Sequence, residues 1–119
     1  MIYKQFRGKR LSMLGFGCMR LPVKNGVYAD IDEQAAAEMI ELAMRNSVNY
    51  YDTAWGYHDG NSETVMGRIL SMYPRESFYL ASKFPGYDLA NLDKVEEIFE
   101  KQLKKCGVEY FDFYLFHNV

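Results

Sequence analysis

Three apolar runs, each closed by one ionisable residue, return along this chain at nearly one interval. VNYYD ends at Asp52, FYLASK at Lys83 and FDFYLFH at His117, with spacings of 31 and 34 residues. Each interval holds one amphipathic helical pattern and one strand, so the repeating element is a β-α unit. Strands alternating with helices build a parallel sheet with right-handed crossovers. In a parallel sheet all carboxyl ends open on one face, and that face is where ligands bind. Asp52, Lys83 and His117 are therefore expected to converge, although they lie far apart along the chain.

The pattern extends upstream. Residues 1–13 read as a hairpin, MIYKQF and RLSM around a turn at Arg7-Gly8-Lys9. LGFG at 14–17 is a short strand. DIDEQAAAEMIELAMRN predicts a helix with Asp30 as N-cap and Glu33 as its capping-box partner. Ala36, Met39, Ile40, Ala43 and Met44 recur there at helical spacing. SETVMGRILSMY predicts a second helix, with Val65, Met66, Ile69 and Leu70 on one face. NLDKVEEIFEKQLKKCG predicts a third, stopped at Gly107, with Leu92, Val95, Ile98, Phe99, Leu103 and Cys106 as its buried stripe. The fold class is α/β: a hairpin followed by four parallel strands and three helices in one domain.

Composition removes several function classes. A net charge of −2 suggests neither a nucleic-acid nor a membrane-surface partner. No apolar run approaches the roughly 20 residues a membrane span needs, and MIYKQFRGKR has no apolar signal-peptide core. Cys18 and Cys106 lack CxxC spacing and read as free thiols of a reducing cytoplasm. His58 and His117 are the only histidines, and no HxH occurs, which argues against a metal-dependent hydrolase. Met39, Met44, Met66 and Met72 read as core or helix-packing residues.

The loop leaving Asp52 carries Tyr57. A phenol, with a reference pKa of about 10, is a poor acid-base group alone, but a neighbouring ammonium stabilises its anion. A carboxylate beside that lysine keeps it charged and positioned. A histidine at the rim can donate a hydrogen bond to a carbonyl oxygen. Asp52, Tyr57, Lys83 and His117 together are equipped to polarise a C=O and supply its proton. They supply no hydride, so reduction requires a cofactor. Trp55 reads as pocket-lining, against simple loop packing, and His58 as loop surface. Phe84 stays open between lining the same mouth and packing.

These residues resemble a known family. NYYDTAWGY…SE looks like the Asp-Thr-Ala-x-x-Tyr signature of the aldo-keto reductases. LASKF resembles their lysine strand, YLFHNV their histidine strand and LGFGCMRLP their first barrel strand. The resemblance implies a partial (β/α)8 TIM barrel, with 1–13 as a capping hairpin and 14–119 as β-α units one to four. It implies Tyr57 as general acid-base and Lys83 as its activating cation. Asp52 would pair with Lys83 and touch the nicotinamide ribose, and His117 would orient the substrate. It also implies that Cys18 and Met19 line the cofactor, where many relatives have threonine and tryptophan. Ser47 stands where relatives usually carry glycine. GCMRLP and LFHNV further resemble a bacterial branch with a C-terminal iron-sulfur segment; no cysteine cluster occurs here, so an iron-sulfur site falls to a missing segment.

The implied activity is NADPH-dependent reduction of aldehydes or ketones to alcohols, on a small carbonyl substrate. A complete barrel takes about 250 residues, so this chain reads as the N-terminal half of a longer reductase. The family grips NADP(H) mainly through later strands, so this chain alone is expected to be inactive. Open strand edges invite self-association or pairing with the missing half. The rival reading is a binding or regulatory module that retains the scaffold without turnover.

Overall fold

The computed structural model describes residues 1–118. A hairpin of β1 (Tyr3–Phe6) and β2 (Lys9–Ser12) precedes β3 (Phe16–Gly17), α1 (Glu33–Arg45), β4 (Tyr50–Asp52), α2 (Asn61–Leu70), β5 (Tyr79–Phe84), α3 (Val95–Cys106) and β6 (Phe113–Phe116). β3, β4, β5 and β6 form one sheet in that order, and every pair is parallel. The expected β-α alternation is therefore present, and each strand lies beside its predecessor.

The hairpin turns through Arg7 and Gly8, at φ 49° and 78°. Two left-handed residues in succession match the twist of the flanking strands. The hairpin is tied to Asn49, which directly precedes β4. Asn49 Oδ1 accepts from the Ser12 amide at 2.8 Å, and its Nδ2 donates to the Arg10 carbonyl at 2.9 Å. The hairpin thus sits at the amino ends of the strands, opposite the ends that carry Asp52, Lys83 and His117.

Strand alternation divides the sheet into two faces. Tyr51, Leu80 and Ser82 point toward the helices and are buried, while Asp52 and Lys83 point the other way. Tyr51 and Leu80 pack with Ile40 of α1, with Met66, Ile69 and Leu70 of α2, and with Cys106 of α3. The core therefore lies between sheet and helices. α2 and α3 touch at Gly67, where an added Cβ would lie 2.5 Å from the Cys106 carbonyl oxygen.

Several local expectations differ. α1 is capped by Asp32, whose Oδ1 accepts from the Ala35 amide at 3.1 Å, not by Asp30. Asp30 instead closes an upstream turn through backbone bonds to Lys24 and Val27. Met66 is buried, but Met39 and Met72 are 44% and 76% exposed, outside the core. On α3 the buried face is Ile98, Gln102 and Cys106, while Leu92 and Val95 are exposed. Leu92 precedes the helix, and Val95, although i,i+3 spacing puts it on the side of Ile98, stands in the opening turn before the buried stretch begins.

Candidate active site

Each functional side chain is delivered by the end of a β-α unit. Asp52 is the last residue of β4, Lys83 the last but one of β5, and His117 follows β6 directly. Tyr57 opens a short turn, Tyr57–Gly60, on the loop between β4 and α2, in which His58 and Asp59 both take left-handed backbone at φ 54° and 53°. The parallel register brings all four to one end of the sheet.

Lys83 is the centre of the group. Its ammonium donates to Asp52 Oδ1, to the Thr53 carbonyl at 2.8 Å and to Tyr57 Oη at 3.1 Å. All three ammonium hydrogens thus have an acceptor. Because Tyr57 Oη accepts from Lys83, its own hydrogen is free to point to another group. The ammonium also lies 4.7 Å from the Tyr57 ring centroid, a cation-π approach that adds to the attraction. The Lys83 side chain is 12% exposed and Asp52 28%, so the pair is sheltered yet open on one side.

His117 meets Tyr57 edge-on, with centroids 5.9 Å apart at 87°. Its backbone amide donates to the Phe84 carbonyl at 2.9 Å, which fixes the ring beside the lysine strand. Its Nδ1 is buried without a hydrogen-bond partner. Burial holds the imidazole below the usual histidine pKa; the Lys83 ammonium pushes it further down, and Asp52 opposes. A neutral imidazole carries one N–H, which suits donation to a carbonyl oxygen. Tyr87 also meets His117 edge-on, with centroids 5.5 Å apart. Nothing in the sequence marked Tyr87 for this place.

The remaining expected residues fall differently. Cys18 is fully buried in the core, and burial pushes its thiol pKa up. Alternation turns residue 18 toward the helices, so its thiol does not face the strand-end opening. Its backbone does serve the site: the amide donates to the Asp52 carbonyl at 2.9 Å. Met19 is 38% exposed on the loop beyond. The Trp55 ring lies against Lys105 of α3, with Nζ 4.8 Å from its centroid, and so packs on the helical side. Phe84 is buried and meets the Phe116 ring at a tilt, with centroids 5.2 Å apart, which decides for packing.

His58 is corrected outright. It is fully buried, not loop surface. Its Nδ1–H donates to the Tyr28 carbonyl at 2.6 Å, its Nε2 accepts from the Leu21 amide at 2.9 Å, and its ring stacks on Tyr28 at 4.4 Å. It pins the long β3–α1 loop to the tyrosine loop. Its partners are backbone groups contributed by the fold, so no side-chain spacing could signal them. No group of three His, Cys, Asp or Glu placed to hold a metal occurs among the described residues.

As a donor set, the cluster offers a free phenolic hydrogen, a carboxylate facing the opening and an imidazole with an unpartnered nitrogen. That set fits the reacting end of a nicotinamide cofactor and a carbonyl compound. Val119, the last residue of the LFHNV motif, lies outside the described residues.

Comparison with known proteins points the same way. Residues 13–119 match the Aldo/keto reductase family. Over 122 residues the chain is 34% identical to "Probable aldo-keto reductase 1" of Glycine max, covering 95% of this chain and 34% of that protein. It is 29% identical to the "NADH-specific methylglyoxal reductase" of Escherichia coli strain K12, covering 90% of this chain and 38% of that one. The holo form of aldo-keto reductase AKR11C1 from Bacillus halodurans superposes with a TM-score of 0.78 at 26% identity, over 97% of this chain and 40% of the other. The chain therefore spans little more than a third of the length of these curated relatives.

Proposed function

The chain belongs to the aldo/keto reductase family, and from that premise we propose that it contributes the acid-base half of a nicotinamide-dependent carbonyl reductase. The observation that carries this reading is the Lys83 ammonium held between Asp52 and Tyr57 Oη, 3.1 Å from the latter, with His117 alongside.

When bound, a reduced nicotinamide supplies hydride to the carbonyl carbon. The chain's own residues do the rest. His117 donates a hydrogen bond that orients the carbonyl oxygen. Tyr57 passes its hydroxyl proton to that oxygen as negative charge develops there. Lys83 stabilises the phenolate left behind, and Asp52 keeps the ammonium charged and aimed. Asp52, on the open side, also suits a ribose hydroxyl of the cofactor. The E. coli relative's name supports a nicotinamide donor and a small carbonyl substrate. The choice between NADPH and NADH belongs to adenosine contacts that these four residues do not make.

Further barrel strands are proposed to pair with the edge of β6 opposite β5, which has no strand partner among the described residues. This chain alone is expected to show no appreciable turnover; robust NADPH oxidation with an aldehyde would overturn that. In the longer parent, Tyr57→Phe should abolish carbonyl reduction and leave cofactor affinity within about twofold, since the ring is kept. Normal turnover by that variant removes Tyr57 from the acid-base role. The rival reading is a scaffold that keeps these residues for binding or regulation without turnover. NADPH titration of the parent by fluorescence separates them: tight binding with turnover supports the reductase, and neither supports the module.

A further inference from the structure

Behind the acid-base group lies a second cluster, buried between β5, β6, α2 and α3. Gln102 of α3 is fully buried where helical spacing calls for an aliphatic residue. Its Nε2 lies 2.8 Å from the Lys83 carbonyl, 3.0 Å from Glu63 Oε2 and 3.2 Å from Ser82 Oγ. Its Oε1 accepts from the Tyr114 hydroxyl. Ser82 Oγ also donates to Glu63 Oε2 at 2.7 Å, and Lys105 Nζ approaches Glu63 Oε1 at 3.1 Å.

Such a network is costly to bury unless its members are satisfied. A plain core would fill this place with leucine at less risk. The location suggests what the network does. Lys83 is gripped at both ends, the ammonium by Asp52, Thr53 and Tyr57 and the carbonyl by Gln102. Glu63 sits in the first turn of α2, directly after the Tyr57–Gly60 turn. One amide therefore joins the backbone carrying the lysine to the helix that anchors the tyrosine loop.

We propose that Gln102 is a positioning residue, whose amide sets β5 against the start of α2 so that the Lys83 ammonium meets Tyr57. The inference rests on the acid-base reading of Tyr57 and Lys83 for its meaning, but not for its test. A merely structural glutamine would change stability and leave the ammonium's surroundings in folded molecules unaltered.

The test reads the lysine ammonium groups of the 15N-labelled protein by proton–nitrogen correlation, with Lys83 assigned through Lys83→Arg. Wild-type Lys83 should exchange with water far more slowly than Lys101. Gln102→Leu should speed that exchange about tenfold, the size of one lost hydrogen bond. Ile98→Val, one turn away on the same helix, should leave it within about twofold. Tyr114→Phe keeps the ring and removes only the hydroxyl that holds Gln102 Oε1. It should speed exchange in the same direction by less, and it decides the matter if Gln102→Leu does not fold. The proposal is overturned by a wild-type Lys83 as fast as Lys101, by an unchanged rate in the glutamine or tyrosine variant, or by equal acceleration in Ile98→Val. No cofactor or substrate enters, so the result stands apart from whether the parent reduces carbonyls.

Discussion

Ser47 lies at φ 65°, in the left-handed region, immediately after the cap of α1. The helix must reverse there to feed β4, and a Cβ makes that conformation costly. Ser47→Gly should stabilise the fold by about 0.5–1 kcal/mol, seen as a rise in Tm. The two thiols make a separate expectation. Cys18 and Cys106 are buried, and burial pushes both pKa values up. Neither should react with a thiol reagent in the native protein, and both should react after denaturation. His117 has its pKa held down in the folded state, mainly by burial. The unfolded chain therefore binds a proton first as pH falls. The neutral ring's contribution is whole above the ordinary histidine value and is lost as pH drops through it toward the lower folded value. His117→Gln should flatten that segment of the stability-pH curve in denaturant titrations.

Among the elements, the α2–α3 contact is the least forgiving. At Gly67 a methyl group would meet the backbone carbonyl of Cys106, not a side chain that could swing aside. Gly67→Ala should cost about 1–3 kcal/mol through overpacking, measured by urea denaturation, although alanine is the better helix former. The Arg68–Glu33 fork joins α1 to α2 with bonds of 2.8 and 2.9 Å, but both side chains are largely exposed. Arg68→Ala should cost no more than about 1 kcal/mol. The two substitutions lie one residue apart and separate packing from surface charge within a single helix. The helices themselves were readable from their periodicity. Their exact faces were not: Gln102 displaced the expected apolar stripe on α3, because four hydrogen-bonding groups await it there.

Across the whole molecule, the sheet is well covered on its helical face and open on the other. Leu115 and Phe116 of β6 are 42% and 48% exposed, and among the described residues β6 pairs only with β5. An apolar strand with an unpaired edge favours association. Leu115→Lys should reduce any concentration-dependent self-association in sedimentation, without unfolding the helical face. The β-α alternation, the parallel sense and the convergence of Asp52, Lys83 and His117 were all legible in the chain. Period-2 and period-3.6 patterns are local, and β-α alternation leaves little freedom of topology. The inward turn of Cys18, the burial of His58 and the network around Gln102 were decided only by the tertiary structure. Each depends on which backbone groups and side chains from distant elements arrive at the same point, and a buried polar atom accepts whichever partner the packing brings within reach.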